Sequence, residues 1–413
     1  MKRTYFLLQL KLFFNNPKNI GLFIISAIVA LYFGLVSAPN HHIIEKIDQP
    51  AIQAELDDHQ AFIKIADKEF QRSANNPNAM PPSKGAKEAK RTYPTIIKLD
   101  KLRLQALNNN NYRAYASFSW QWYHYLDSLL FQKAIQNYTY PSEYYSQTNY
   151  PGYDGHYGYS RITALYKGLS QGKTSVNKDI LEERTSLQIL QKSLSGWSVI
   201  LLIIFVCLFT CDLLTYDQKF RTILKNIPLT KTFQLGTKLV VAFIGIIFNF
   251  LISFLIIILC TAPRYGLGSL SLAVPIYRGR PYYEFSFKTI SLGRYFVYFS
   301  MMALLVILIF ISLSILISLL IKNSYITAIL TIIVAVIAKV SYFSLGMGYV
   351  YPWLRYLPTT YFTIGDSLSG YLSYLMGTPG WGFQWGLMPL LVLLIGLNLL
   401  LLIFSNSRRF SII

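Results

Sequence analysis

The run from Asp217 to Pro228 is the most chemically suggestive part of this 413-residue chain. Phe220, Ile223, Leu224 and Ile227 recur at three- and four-residue steps, with Lys219, Arg221 and Lys225 opposite them. That spacing predicts a short amphipathic helix. Pro228 stops it, because proline lacks the backbone N–H that a further helical turn needs. A helix of this kind can fill a groove on a partner protein or simply rest on lipid. A second candidate is Lys339, the one ionisable residue within a long apolar run. Such residues are functional suspects. It stands six residues from the end of its run, so its ammonium is expected to snorkel to the headgroups, with contact to a transported molecule as the second reading. The third candidate is the aromatic stretch from Tyr112 to Tyr159. Tyr112, Tyr115, Trp120 and Trp122 could bind a peptide, a sugar or a lipid headgroup, or they could form a core or sit at a membrane interface.

Enzyme signatures are missing from the sequence. Gly266-Leu267-Gly268 lacks the Lys-Ser/Thr that a phosphate-binding loop needs. There is no His-Glu-x-x-His, and His41, His42, His59, His124 and His156 have neither Cys neighbours nor zinc-like spacing. No catalytic group, metal or cofactor is expected on this chain.

The elements that must position the candidates are dominated by apolar runs. About 20 apolar residues cross a bilayer as a helix, because unpaired backbone is not tolerated in lipid. Six runs qualify: 20–37, 197–211, 239–262, 295–321, 324–345 and 387–404. The second is short, and the helix before it, with Leu187, Leu190 and Leu194, can extend it. Only Lys322 and Asn323 separate the fourth and fifth, which predicts a tight hairpin. The predicted fold is all-α and polytopic. It has an amphipathic leader over 1–19, a first span over 20–37, a mostly helical extracellular domain over 38–195, and spans two to six within 196–413.

Orientation follows from Lys and Arg in short loops. With both termini in the cytoplasm, the inner segments carry 12 basic residues against 2 acidic, and the short outer loops 6 against 2. A block as long as 38–195 crosses largely regardless of charge. This topology accounts for much of the net charge of +19, so no nucleic-acid partner is expected. Val36-Ser37-Ala38 resembles a signal cleavage site, but Pro39 disfavours cutting, and an uncleaved anchor is expected. Cys207, Cys211 and Cys260 fall in or beside spans, so the outer block has no disulfide framework. Together with the Lys/Asn/Ile-rich composition, this suits a bacterial cell membrane.

Within the block, periodicity predicts helices over 41–72, 95–107 and 112–135, with a loop over 73–94 and a break at the asparagines 108–111. The tyrosine-rich 138–159, with Pro141, Pro151, Gly152, Gly155 and Gly158, reads as an ordered loop. A further helix is expected from Ile180 into the second span.

The leader helix, the six spans and the Asp217–Pro228 segment, followed by Gly236-Thr237-Lys238 at the start of span three, together resemble a permease subunit of the type 2 branch of ABC exporters. The outer block resembles the helical insertions of permeases from low-GC Gram-positive bacteria. The resemblance implies that Asp217, Phe220, Arg221, Ile223, Leu224, Ile227 and Pro228, in the loop 212–238, form the coupling helix that docks on a separate cytoplasmic ATPase. Lys219-Phe220 stands where relatives often have Gly-Thr. The outer segment 346–386 looks like the family's re-entrant helices. The implied partners are the ATPase, which carries Mg-ATP, a second permease of the same or a different kind, and the bilayer. Peptide, antimicrobial or lipid-like cargo is implied. The competing reading is a membrane receptor or scaffold that senses a ligand outside and binds a signalling partner through the 212–238 loop.

Overall fold

The computed structural model describes residues 2–76, 78–133, 135, 138–145, 151–216, 228–279, 287–341 and 352–406. Among these the chain is mostly helical, with one two-stranded hairpin. It divides into two units. One comprises Met1–His41, Ser186–Leu267 and Arg294–Ile413; the other comprises His42–Thr185 and Gly268–Gly293.

In the first unit, the leader is a helix over Lys2–Phe14. It buries Tyr5, Gln9 and Phe13, one face at four-residue steps. Asn16 then caps the helix Pro17–Tyr32 by accepting the Lys18 N–H at 3.1 Å. Pro17 occupies the first turn, where a missing N–H costs nothing. The helix continues as a π-helical turn over Phe33–Ser37.

Among the described residues, four helices are long and apolar enough to cross a membrane: Pro17–Ser37, Lys231–Tyr265, Leu292–Ile321 and Phe383–Ser405. They contain the predicted spans one, three, four and six. The second predicted span is a broken element, in which Lys178–Ser193 meets Trp197–Thr210 at a bend of 53°. Gly196, with φ +60° and ψ −136°, forms the break. That backbone region is essentially closed to side chains with a Cβ. The fifth is a shorter apolar helix, Ser324–Ile337, within Ser324–Ser341; the end expected at Leu345 lies outside the described residues. Asn323 starts this helix by accepting the N–H groups of Tyr325 and Ile326 at 2.9 and 3.3 Å. Lys322, between the two helices, takes the left-handed conformation, φ +56°. The segment expected to be re-entrant contains short helices at Ile364–Leu368 and Tyr371–Leu375.

The second unit packs Gln49–Asn75, Lys84–Asn108, Tyr112–Phe131 and Pro151–Gln171 in succession. Asp48, Ser83 and Asn111 cap the first three by accepting N–H groups of Ala51, Ala86 and Ala114. The asparagine break is a turn in which Asn110 adopts φ +52°, a conformation asparagine tolerates.

Three expectations are corrected here. The loop predicted for 73–94 ends early, because the second helix begins at Lys84 and runs through Pro94. The stretch 138–159 is not all loop: residues 151–159 open the helix Pro151–Gln171. Its glycines make room for rings instead of breaking the helix. A Cβ on Gly155 would lie 2.2 Å from Tyr140 Cγ, and one on Gly158 would lie 2.5 Å from Tyr144 Cδ1. Finally, the chain is not wholly helical. Ala273–Tyr277 pairs antiparallel with Phe287–Ser291 in the register Ala273↔Ser291 to Tyr277↔Phe287. This hairpin packs on Pro151–Gln171, and a Cβ on Gly168 would meet Ala273 Cβ at 2.7 Å. Gly268–Gly293, which carries the hairpin, thus belongs to the second unit.

Candidate functional site

The C-terminal end of the Trp197–Thr210 helix gathers polar groups from three helices. A helix end leaves its last carbonyls without intrahelical partners. Lys18 Nζ donates to the Leu208 carbonyl at 2.6 Å and lies 3.4 Å from that of Phe209. A cation there also meets the negative end of the helix dipole. The same ammonium pairs with the Asp212 carboxylate. Asn16 Nδ2 donates to the other Asp212 oxygen at 2.9 Å, so one asparagine caps Pro17–Tyr32 and holds Asp212. From the third helix, Lys238 is 4% exposed and donates to the Leu213 carbonyl at 2.6 Å. A small cavity of about 30 Å³ lies among Gln9, Asn16, Asn19, Asp212, Tyr216 and Lys238.

The leader is locked into this site. Asn19 Nδ2 donates to the Phe13 carbonyl at 2.9 Å, and the Phe13 ring stacks on Phe209 at 6.0 Å. Gly245 is bare because Phe13 covers it: a Cβ there would lie 2.1 Å from the ring. Movement of the chain at Asp212–Tyr216 must therefore be shared with the leader and with Lys231–Tyr265. Of the candidate coupling residues, Asp217, Phe220, Arg221, Ile223, Leu224 and Ile227 lie outside the described residues. Pro228 is described, two residues before Thr230, which caps Lys231–Tyr265.

Lys339 has a carboxylate partner. Its Nζ lies 3.4 Å from Asp366 Oδ2, and Asp366 Oδ1 accepts the Gly196 N–H at 3.0 Å. The carboxylate thus holds both a lysine in an apolar helix and the backbone break of the bent element. The neighbouring Gly365 packs directly on that break, since a Cβ would come within 1.9 Å of the Leu194 carbonyl oxygen. A carboxylate partner offsets part of the cost of taking a lysine's charge out of water. The sequence alone could not show that a segment 27 residues away supplies it.

The aromatic candidates separate into core and surface. Tyr115 and Trp122 are 3% and 6% exposed and enclose Arg103, whose guanidinium lies 4.5 Å over Trp122 and 5.6 Å over Tyr115. Arg103 also donates to Asp100 at 3.0 Å and to Ser119 at 3.2 Å. These two aromatics are therefore packed inside, around Arg103. Tyr112 and Trp120 remain half-buried, with Lys167 Nζ 5.2 Å over the Trp120 ring. Around them Tyr123, Tyr159 and Tyr166 form edge-on pairs at 5.1 and 5.9 Å. Glu45 is held by the hydroxyls of Tyr123 and Tyr144, and burial pushes its carboxyl above the usual range.

Burial likewise pushes Asp100 up to about 6, against the pull of Arg103. Between the ordinary carboxylate value and about 6, the folded unit keeps a proton that the unfolded chain has released. This group's contribution to stability is therefore greatest below that window and declines as pH rises through it. His59 acts oppositely: burial lowers its value, so its contribution is lost on acidification. The stability difference between wild type and Asp100→Asn isolates the carboxylate. It should shift against the wild type by up to roughly 3 kcal/mol between pH 4 and pH 7. Hydrogen exchange of Lys84–Asn108 amides in the full chain, corrected for intrinsic rates, measures it. A difference that stays flat, or that moves towards the wild type as pH rises, would contradict the assignment.

Periodicity could not reveal the Asn16–Lys18–Asp212–Lys238 site, because Asn16 and Asp212 alone are 196 residues apart. Two signals were present nonetheless: an Asn-Pro pair at a helix start, and an acidic residue directly after an apolar run. Among the described residues no group of three or more His, Cys, Asp or Glu could hold a metal. Comparison with family models, curated proteins and solved structures found no match to this chain.

Proposed function

We propose that this chain is the permease subunit of an ATP-driven exporter of the ABC type 2 branch. In this reading it lies in a bacterial cell membrane with six spans, both termini in the cytoplasm and the second unit outside. The observation that carries the proposal is the Lys18–Asn16–Asp212–Lys238 cluster at the root of the 217–228 segment. A lever between two membrane helices is useful only if its base is rigid and shared with other helices. Lys18 and Lys238 clamp the end of Trp197–Thr210 from two sides, and Phe13 and Asn19 add the leader to the same body.

The mechanism follows from that linkage. A separate ATPase dimer binds Mg-ATP and closes. Its movement reaches Phe220, Ile223, Leu224 and Ile227 on the coupling helix. The clamp passes the displacement to the leader and to three membrane helices, and a pair of permeases alternates between inward- and outward-open states. The Gly196 break, held by Asp366, gives the second span a bend that can change angle without disrupting regular helix.

Purification from its native membrane should bring down an ATPase whose turnover depends on this chain. Phe220→Asp or Leu224→Asp should remove that dependence while leaving insertion intact, because each places a charge on the apolar docking face. Full coupled turnover in both variants would count against the coupling helix. A receptor or scaffold would support no ATP hydrolysis at all.

A further inference from the structure

In the first unit, the short helix Pro352–Tyr356 holds a cation between two rings. Arg355 Cζ lies 4.9 Å from the centre of the Tyr356 ring and 5.0 Å from that of Trp385. Arg355 Nη2 donates to the Tyr356 hydroxyl at 2.8 Å, and among the described residues no carboxylate pairs with this guanidinium. The backbone that carries it is fixed. Tyr361 Oη donates to the Arg355 carbonyl at 2.8 Å, and Thr360 Oγ1 donates to that of Leu354 at 2.8 Å. Leu354 itself packs with Leu372, Met376 and Trp381. Around the cation, Trp353, Tyr356 and Trp385 are all exposed.

A guanidinium stacked on rings keeps its charge and its remaining in-plane donors for a further partner. That fork matches the oxygens of a phosphate, and the Trp385 indole adds an N–H beside it. The neighbouring surface narrows what carries the phosphate. Trp385 stands in the first turn of Phe383–Ser405, and Met388, Val392 and Ile395 follow it at three- and four-residue steps, all exposed. From Trp385 to Ile395 is about 15 Å along the helix axis, half of a hydrocarbon core of roughly 30 Å. That is the depth of one leaflet. A free phosphate or an acidic peptide would meet the cation and leave this apolar stripe uncovered, whereas a phospholipid covers both.

We propose that Arg355, Tyr356 and Trp385 bind the headgroup phosphate of an anionic phospholipid whose acyl chain lies along Met388, Val392 and Ile395. The site requires that Phe383–Ser405 cross the membrane and is independent of the exporter reading. Trp and Tyr gather at membrane interfaces in general. This patch differs in the guanidinium fixed among its rings without a carboxylate to neutralise it. A lipid of net negative charge is preferred, because a choline headgroup would bring a second positive charge to Arg355.

The test is photolabelling of the full chain in phosphatidylcholine nanodiscs that hold a small fraction of phosphatidylglycerol with a diazirine on one acyl chain. Labelling at Met388, Val392 or Ile395 should saturate as the probe fraction rises. Labelling at Leu251, exposed on Lys231–Tyr265, should instead rise in proportion. Unlabelled phosphatidylglycerol should displace the saturable part, and neither extra phosphatidylcholine nor soluble glycerol phosphate should do so. Arg355→Gln should weaken binding by about tenfold, the scale of one lost charge-assisted hydrogen bond. Arg355→Lys should recover part of it, since an ammonium keeps the charge but not the fork. The thermal midpoint without phosphatidylglycerol shows whether Arg355→Gln folds, and the competition arms need only the wild type. Labelling that does not saturate, that phosphatidylcholine or glycerol phosphate displaces equally well, or that a folded Arg355→Gln leaves unchanged overturns the site. No arm needs the ATPase, so an absence of partner-dependent turnover sinks the exporter reading alone.

Discussion

Lys18→Met should lower ATP turnover in the assembled complex by about ten- to a hundredfold while leaving the amount of inserted protein unchanged. The ammonium donates to the Leu208 carbonyl and pairs with Asp212, and hydrogen bonds to charged groups are worth about 1.5–3 kcal/mol. If the proposed stroke passes through this clamp, a loss of that size appears in the coupled rate, at about 1.4 kcal/mol per factor of ten. Methionine keeps the length and packing of the stem, so the fold should survive. Asp212→Asn should cost less, because Asn16 still reaches that side chain. The measurement is turnover of the purified complex at saturating ATP, with Lys18→Arg as a partial rescue. Wild-type turnover in Lys18→Met would show that the clamp is only structural and that the stroke takes another route.

The second large effect is expected at Asp366. Asp366→Asn removes the carboxylate that faces Lys339. Breaking one side of a buried ion pair costs about 3–5 kcal/mol, whereas neutralising both sides is often close to neutral. Asp366→Asn alone should therefore lower the thermal midpoint of the full chain in detergent by roughly 10 °C. Adding Lys339→Met should restore most of that loss. Gly365→Ala should be as damaging as Asp366→Asn but should gain nothing from Lys339→Met, because its Cβ strikes the Leu194 carbonyl and no charge is involved. If the double neutral variant were no more stable than Asp366→Asn, the carboxylate's bond to the Gly196 N–H would have to be the dominant contact.

The two sites share a design. In each, a polar side chain from one helix satisfies backbone groups that another helix leaves open at an end or a break. Lys18 reaches a carbonyl at the end of Trp197–Thr210, Lys238 reaches the Leu213 carbonyl just beyond it, and Asp366 takes an N–H at the break that starts the same helix. In the proposed exporter both ends of the second span are thereby tied to other elements, and the span is the part best placed to pass motion through the membrane.

Periodicity made the apolar helices legible, because 18 or more uncharged residues leave few alternatives. The cap at Ser83 was missed, because the prolines and lysines around it read as loop. Where expectation failed, a local rule was overridden from a distance. Gly155 and Gly158 read as helix breakers, yet Tyr140 and Tyr144 press on them and packing outweighs propensity. The hairpin at Ala273–Tyr277 and Phe287–Ser291 was hidden because its strands are short and their support is the distant helix Pro151–Gln171.

The sequence by itself determined that this is a chain of long apolar helices with a polar block between the first two, because lipid and water sort side chains by composition and spacing alone. Only the tertiary structure decided which charge meets which: Lys339 with Asp366, Lys18 with Asp212, Arg103 within a ring of aromatics. The physical reason is range. Helical spacing is written within a few neighbouring residues, whereas an ion pair depends on groups that folding brings together from far along the chain.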